Sequence, residues 1–180
     1  MPELAIIADD LTGALDATAP FAMRGIRTAV ALSTAALPAA ISGGARVVGV
    51  STDSREVQPD EAREKVRAAV SALPEGTRIF KKVDSRLKGN IAAELDAMPH
   101  ARSLVLPAIP AFGRWTRGGQ LGGFGVSRPI DIAPRLGSHA AKATHPDTGS
   151  GADTATDLHL PPTLPTGAHA MPAAVPIRSC

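Results

Sequence analysis

The sequence is poor in aromatic residues and almost free of cysteine. Its 180 residues contain no tyrosine, one tryptophan, four phenylalanines and a single cysteine, Cys180, at the last position. One cysteine cannot form an internal disulfide and cannot by itself make a zinc site. A disulfide-stapled scaffold is therefore excluded, and a reducing compartment fits.

Blocks of like charge and long hydrophobic runs are missing as well. The formal net charge is +2, and the basic residues are scattered without interleaved aromatics, so no nucleic-acid partner is indicated. The first apolar run is interrupted at Asp9 and follows no basic segment, which predicts neither a signal peptide nor a membrane span. The expected location is the cytoplasm.

Residues 1–121 alternate short aliphatic runs with amphipathic segments, a pattern typical of parallel βαβ units. With 44% hydrophobic residues, this part can form a packed core. We therefore expect an α/β domain with a Rossmann-like parallel sheet and flanking helices. The predicted strands are 4–8, 28–32, 46–51, 78–83 and 103–106, and the clearest predicted helices are 12–22, 59–73 and 91–98.

The composition changes at about residue 122. Residues 122–180 contain no glutamate, half of the sixteen prolines and four of the five histidines. No periodic apolar pattern persists there, so the segment offers too little apolar surface to offset the entropy cost of ordering it. We expect an irregular, disordered C-terminal tail, and the spacing of its histidines matches no metal-ligand pattern.

The stretch "IIADDLTGALD" ends a hydrophobic strand with two adjacent carboxylates, Asp9 and Asp10. Ligands of parallel α/β sheets bind beyond the carboxyl ends of the strands, where these acids lie. The pair could hold Mg²⁺, accept hydrogen bonds from a hydroxylated ligand or supply a general base. The candidate binding residues of this stretch are Asp9, Asp10 and Thr12. Alternatively, one acid only caps the next helix, although Thr12 is the predicted cap.

A second polar cluster, "FKKVDSRLKGN", ends the fourth predicted strand. Alternation along a buried strand places Lys81 and Lys82 on opposite faces, so only one of them can enter a site. A solvated charged loop is the simpler interpretation, but the mixture also suits an anionic, hydroxylated ligand. The candidate binding residues are Lys82, Asp84, Ser85, Arg86, Lys88, Gly89 and Asn90.

The third cluster, "LPAIPAFGRWTRGG", follows the fifth predicted strand. Its glycines permit close backbone approach, and Arg114 and Thr116 provide donors for a carboxylate or phosphate. Three polar clusters thus follow three strands of one predicted sheet, which favours a single shared site.

Two other α/β families place acids in a partly similar way. In a receiver domain Asp53 would be the phosphorylated residue, but the expected lysine after the fifth strand is missing from "LVLPAIP". A haloacid-dehalogenase-type phosphatase needs an acid where this sequence has Leu11.

Taken in order, "IADDLTGALD", "KKVDSRLKGN" with Glu94 following, and "LPAIPAFGRWTRGGQL" resemble the N-terminal domain of the four-carbon acid sugar kinases. That family includes 3-oxo-tetronate, threonate and erythronate kinases, and the resemblance covers residues 4–121. It implies an ATP-dependent kinase in which this α/β part binds the small sugar acid, while a second, C-terminal half binds ATP with Mg²⁺.

The resemblance also implies roles for the candidate residues. Lys82, Arg86 and Arg114 would face the carboxylate or the transferred phosphate, and Asp9, Asp10 and Asp84 would accept hydrogen bonds from hydroxyls. One of these acids would orient the attacking hydroxyl, and Asp10 is the candidate catalytic residue. Which acid is the base stays open at this point.

Such kinases are much longer than this chain, and the sequence contains no Gly-Lys-Ser/Thr phosphate loop. We therefore expect that the chain binds neither ATP nor Mg²⁺ alone and is inactive unless a separate chain supplies the nucleotide-binding half. The change after residue 121 leads us to expect a truncated or frameshifted reading frame. A sugar-acid sensor and a nonfunctional fragment are the alternatives, and the oligomeric state is open.

Overall fold

The computed structural model describes residues 1–148 and 174–177, which form ten strands and five α-helices. The strands are β1 (Leu4–Ala8), β2 (Thr28–Ala31), β3 (Val47–Ser51), β4 (Arg78–Lys82), β5 (Ser103–Leu104), β6 (Arg114–Arg117), β7 (Gln120–Gly123), β8 (Ile130–Asp131), β9 (Ala143–Thr144) and β10 (Ala174–Ile177). The helices are α1 (Leu11–Ala22), α2 (Leu37–Ser42), α3 (Pro59–Ser71), α4 (Ile91–Asp96) and α5 (Ala133–Leu136).

The main sheet has seven strands in the order β2-β3-β1-β4-β10-β5-β9. Its first four strands are parallel, which confirms the predicted α/β class. In the register of this sheet, Ala8 pairs with both Ser51 and Lys82. The carboxyl ends of β1, β3 and β4 therefore lie side by side, and the residues that follow them share one edge.

Two apolar layers cover the two faces of this sheet, as a parallel sheet requires. On β1, Ala5 and Ile7 belong to the larger core together with Val66 of α3, whereas Ile6 packs on the opposite face with Ala17 of α1. This alternation follows the two-residue period of a strand. In the two central strands β1 and β3 the one polar residue is Ser51, at the carboxyl end of β3.

The first helix begins two residues earlier than a cap at Thr12 would place it. The N-cap of α1 is Asp10, whose Oδ1 accepts a hydrogen bond of 2.7 Å from the N–H of Gly13. A carboxylate is a strong N-cap because it satisfies a free amide and complements the positive helix end. The predicted cap at Thr12 was wrong, and that side chain is exposed.

The third helix follows its sequence pattern closely. Pro59 occupies the first turn of α3, where a missing N–H costs nothing, and Asp60 and Glu61 lie near its positive end. Ala62 and Val66 form part of the buried stripe. The helix ends two residues before the predicted limit.

The packed region extends beyond residue 121. Strands β6, β7 and β8 form a second, antiparallel sheet, and Leu121, Ile132 and Leu136 all join the larger core. The residues 122–148, assigned from composition to the tail, thus contribute short elements and buried side chains. Apart from β10, the later part of the predicted tail lies outside the described residues.

The strand predicted for residues 103–106 is reduced to the two residues of β5, and α2 with the preceding 3-10 turn, Thr34–Ala36, was not predicted. Within the described part of the chain, no helix combines the length and the apolar character that a membrane crossing requires.

Gly49 lies where α1 packs tightly against β3. A Cβ atom at this position would lie 2.5 Å from Thr18 Oγ1 and 3.3 Å from the carbonyl oxygen of Ala14. We predict that Gly49→Ala lowers the free energy of unfolding by about 1–3 kcal/mol, because the helix must shift away from β3. Urea denaturation measures the change.

Gly43 provides the matched control, since its φ of −66° suits alanine and an added Cβ would find only ordinary contacts, at 3.5 Å or more. Gly43→Ala should change the free energy of unfolding by less than about 0.5 kcal/mol. Equal effects of the two substitutions would contradict the close packing of α1 on β3.

Candidate functional site

Five charged side chains meet where β1, β3 and β4 end, and we refer to them as the edge cluster. Asp9 and Asp10 follow β1, Arg55 lies in the loop after β3, Lys82 ends β4, and Asp84 comes two residues later. Their convergence confirms that the polar segments after the first and fourth predicted strands lie together. Arg55 was not among the predicted site residues.

Arg55 connects the three carboxylates of the edge cluster. Its Nε and Nη2 donate to Asp9 Oδ2 and Oδ1 at 2.8 and 3.0 Å. Its Nη1 lies 2.8 Å from Asp10 Oδ2, and its Nη2 lies 3.8 Å from Asp84 Oδ2. The hydrogen bonds with Asp9 are the main reason that the pKa of Arg55 is raised, against the opposing effect of burial.

The carboxylates of Asp9 and Asp10 are both fully engaged. Asp9 is buried and gives both of its oxygens to Arg55, a bidentate arrangement that fixes both side chains. Asp10 uses Oδ1 for the N–H of Gly13 and Oδ2 for Arg55. Neither acid has an oxygen without a partner.

Asp84 is held by its own loop. Its Oδ1 accepts hydrogen bonds from the N–H groups of Arg86 at 2.9 Å and Lys88 at 3.3 Å. Burial by itself raises the pKa of Asp84, but these two donors and the charges of Arg55 and Lys82 outweigh it, so the pKa lies below its ordinary value of 3.8. Its Oδ2 accepts no hydrogen bond from the described residues.

Lys82 is the cation of the edge cluster that keeps free donors. Its Nζ donates to the carbonyl oxygen of Val83 at 2.6 Å and forms no ion pair with any residue that the structure describes. Burial lowers the pKa of Lys82, although the nearby acids Asp9, Asp10 and Asp84 partly oppose this effect. A buried ammonium with unused donors is suited to an anionic ligand.

Lys81 and Lys82 take opposite directions, as strand alternation predicts. Lys81 extends to the other face of the sheet, where its Nζ lies 2.9 Å from Glu94 Oε2. Both partners are buried. Only Lys82 therefore belongs to the edge cluster.

Gly89 and Asn90 lie behind the edge cluster and shape it. Gly89 has a φ of +86°, and a Cβ atom there would lie 3.2 Å from Asp9 Oδ2. The side-chain amide of Asn90 donates to the carbonyl oxygens of Ser54 and Val57, at 2.9 and 2.8 Å. Asn90 thus fixes the loop that carries Arg55, and the exposed Gly89 lets the loop after β4 pass close to Asp9.

The third predicted cluster contributes structural contacts. The guanidinium of Arg114 donates to the carbonyl oxygens of Phe124 and Ser85, which fastens β6 to the loop that follows β4. Thr116 is buried in β6, and its N–H donates to Thr148 Oγ1 at 2.8 Å. In this arrangement Arg114 reaches the rim of the site, and Thr116 faces the interior.

The remaining predicted residues line the rim or lie outside it. Arg86 and Lys88 are exposed on the loop after β4, Ser85 is half-buried, and Thr12 is exposed on the first turn of α1. The two cations can therefore add charge near the edge cluster without being held by it.

An open depression of about 410 Å³ adjoins the edge cluster on the side of β2 and β3. It contains none of the predicted binding residues, but Leu11 and Thr52 in its wall are neighbours of Asp10 and of the Arg55 loop. Asp53, the phosphoacceptor of the receiver-domain alternative, also lies here. The wall consists of Leu11, Leu32, Ser33, Thr34, Ala35, Ser51, Thr52, Asp53 and Lys65.

The edge cluster does not fit a magnesium ion in this arrangement. The carboxylates of Asp9 and Asp10 close on the guanidinium of Arg55, which occupies the place a cation between them would need. Across residues 1–148, no three Asp, Glu, His or Cys side chains are arranged to hold a metal ion. Asp9 and Asp10 therefore bind the side chain of Arg55 in this structure, where a metal ion was one of the interpretations of the sequence.

A parallel α/β sheet with charged groups gathered at its carboxyl edge defines a small-molecule-binding domain. The chain belongs to the family of sugar-binding N-terminal domains, whose sequence model matches residues 4–152. The match continues past residue 121, where the motif resemblance ended. It confirms the resemblance to the N-terminal part of the acid sugar kinases.

Two relatives are kinases of four-carbon sugar acids. The chain is 44% identical to the D-threonate kinase of Cupriavidus necator over 117 residues, which cover 63% of this chain and 28% of that enzyme. It is 39% identical to the D-erythronate kinase of Heliobacterium modesticaldum over 128 residues, covering 67% and 29%. The chain thus spans less than a third of the length of either kinase.

A solved structure of a Bordetella bronchiseptica protein has the same fold. It is described as a domain of unknown function with bound citrate in a domain-swapped dimer. The TM-score is 0.61 with 36% sequence identity, and the match covers 71% of this chain and 34% of that chain.

The Arg55 contacts predict a large effect on stability. Replacing Arg55 by Gln leaves the buried Asp9 carboxylate without its bidentate partner, so the free energy of unfolding should fall by about 2–4 kcal/mol. Arg46, which binds Glu3 with similar geometry on the exposed surface, is the matched control. Arg46→Gln should have a much smaller effect, because water screens an exposed ion pair, and equal losses in urea denaturation would contradict the special role of Arg55.

The depressed pKa of Asp84 predicts a pH-dependent contribution to stability. Ionised Asp84 stabilises the folded state at pH values above its ordinary pKa of 3.8, and this contribution is lost as the pH falls through the lower folded pKa. The stability difference between the native chain and Asp84→Asn should therefore shrink on acidification. An NMR titration of the Asp84 carboxyl carbon with a midpoint at or above 3.8 would refute this assignment.

Proposed function

We propose that this chain is the substrate-binding part of an ATP-dependent kinase that phosphorylates a four-carbon sugar acid, with the edge cluster as its acid site. The observation that carries this proposal is Lys82, a buried ammonium with unused donors, surrounded by carboxylates. The kinship with D-threonate and D-erythronate kinases supports the choice of substrate class.

The chemistry of such a substrate suits the edge cluster. A four-carbon sugar acid carries one carboxylate and several hydroxyls, so it needs a cation at one end and hydrogen-bond acceptors along its length. Lys82 supplies the cation, and the exposed Arg86 and Lys88 add positive charge at the rim. The citrate bound by the Bordetella bronchiseptica protein is also a hydroxylated carboxylic acid.

The available oxygens favour Asp84 over Asp10 as the group that orients the attacking hydroxyl. Both oxygens of Asp10 are committed, to the start of α1 and to Arg55. Oδ2 of Asp84 is the carboxylate oxygen of the edge cluster that accepts no hydrogen bond from the described residues. Asp84 would take the proton of the hydroxyl as the hydroxyl oxygen bonds to the γ-phosphorus of the donor, while the bond from that phosphorus to the bridging oxygen breaks and ADP leaves.

The remainder of the reaction needs a phosphoryl donor. The names of the related kinases imply ATP and Mg²⁺, and the described residues offer no fitting site for the metal. Phosphoryl transfer depends on positioning and on stabilising charge, so the donor must be held in line above the substrate. We infer that the part of these kinases that the chain does not match provides this function.

Calorimetric titration with D-threonate and D-erythronate tests the proposal. The 180-residue chain should bind at least one of the two sugar acids. Lys82→Met should weaken that binding by roughly 10- to 100-fold, because methionine is nearly as long as lysine but lacks its charged hydrogen-bond donor. Lys88→Met on the exposed rim is the matched control, with an expected change below about 3-fold.

The same titrations compare the two aspartates, Asp84 and Asp10, as candidates for orienting the hydroxyl. Asp84→Asn should weaken binding more than Asp10→Asn, because asparagine at position 10 can still cap α1.

Incubation with ATP, Mg²⁺ and either sugar acid should give no phosphorylated product from this chain alone. No heat with either acid, together with labelling of Asp53 by acetyl phosphate, would favour the receiver-domain alternative instead.

A further inference from the structure

A buried polar network lies beneath the edge cluster, on the opposite face of the sheet. Lys81 Nζ lies 2.9 Å from Glu94 Oε2, and the hydroxyl of Ser54 donates to Glu94 Oε1. Thr52 Oγ1 lies 2.7 Å from Ser54 Oγ and 2.9 Å from the carbonyl oxygen of Ala8. The network therefore joins α4 and β4 to the loop after β3 and to the end of β1.

The network has a high energetic cost for a purely structural feature. Lys81 is 0% exposed and Glu94 is 1% exposed, so both charges are fully removed from water. The attraction within a buried ion pair seldom exceeds this desolvation cost by much, and apolar residues of similar volume stabilise a core equally well. A role beyond core packing would explain the pair.

The network is connected to the site through Ser54. The N–H of Ser54 donates to the carbonyl oxygen of Asp9 at 3.0 Å, and the next residue in the chain is Arg55. Asn90 fixes the carbonyl oxygen of Ser54 from the other side. Asp53, just before Ser54, has a φ of +48°, a left-handed conformation that a non-glycine residue keeps only when its surroundings enforce it.

We propose that Glu94, acting through Ser54, is a positioning residue for the acid-sugar site. Lys81 holds the carboxylate of Glu94, which holds the hydroxyl of Ser54, and Ser54 fixes the backbone from which Arg55 reaches Asp9 and Asp10. This inference rests on the proposed function for its consequence in binding. The placement of Arg55 by the network is an independent structural statement.

Ser54→Ala is the discriminating variant, because it removes one hydroxyl and leaves the Lys81–Glu94 pair intact. Ser103→Ala is the matched control, since the Ser103 hydroxyl is also buried and has no partner in the described part of the chain. The Arg55 Nε–H signal in ¹⁵N NMR, assigned with Arg55→Lys, reports whether the guanidinium is held by Asp9. Calorimetry with D-threonate and D-erythronate reports the consequence for binding.

In the native chain and in Ser103→Ala, the Nε–H of Arg55 should exchange slowly with solvent. In Ser54→Ala its exchange should accelerate by about ten-fold and the affinity for the acid should fall by about five-fold, because the Ser54 hydroxyl no longer bonds to Glu94 and Thr52. Glu94→Gln should change both readouts in the same direction. An Arg55 signal and an affinity that stay unchanged in a folded Ser54→Ala protein would overturn the proposal.

The two proposals fail in different ways. If the native chain binds neither acid, the proposed function is wrong, and the NMR comparison still decides whether the network positions Arg55. If the native chain binds an acid and Ser54→Ala binds it equally well, the network has no role in binding, and the proposal that Glu94 is a positioning residue for the site is wrong.

Discussion

The bidentate pair between Arg55 and Asp9 is the interaction on which the arrangement of the site depends. Asp9, Asp10 and Asp84 carry three negative charges at neighbouring strand ends, and their mutual repulsion would separate the loops that carry them. Arg55 contacts or approaches all three. The guanidinium of Arg55 therefore holds the three acids close together. The buried cation Lys82 lies beside them.

The pair is possible because of the register of the sheet. Ala8 lies opposite Ser51 on one side and Lys82 on the other, so the residues that leave β1, β3 and β4 emerge at the same height. Asp9 can then meet an arginine that is 46 residues away in the sequence. The glycine at position 89, close to both Asp9 and Arg55, gives the loop after β4 enough room to pass over this contact.

The sequence predicts the parallel sheet and the edge of the site well because both depend on short-range patterns. The period of the apolar residues places β1 and α3 within two residues of their limits, and polar residues after two of the strands indicate a common edge. No short-range pattern of the sequence indicates that Arg55 belongs to the site. Its side chain reaches the edge cluster only because the loop turns at Asp53 and is held by Asn90, and both effects are tertiary.

The structure differs from the sequence-based predictions at two other places, Arg114 and residues 122–148, and both differences have local causes. Arg114 is a residue type that often binds anionic ligands, but its guanidinium donates to the carbonyl oxygens of Phe124, just after β7, and of Ser85, in the loop after β4. Residues 122–148 have the composition of a tail, but the buried side chains of Ile132 and Leu136 attach the short elements of this segment to the larger core. Composition alone does not reveal that these residues pack on the core, because each element there is too short to show an amphipathic pattern in the sequence.

The adjacent lysines of β4 show how one strand can serve both the core and the site. Alternation places Lys81 on the buried face, where Glu94 must neutralise it, and Lys82 on the side of the acids, where its donors are unused. Because Glu94 also binds Ser54, the charge that satisfies Lys81 is connected to the loop that carries Arg55. The two faces of the sheet are thus coupled through one carboxylate, and a change at Lys81 or Glu94 would be transmitted to the acid site without either residue approaching a ligand.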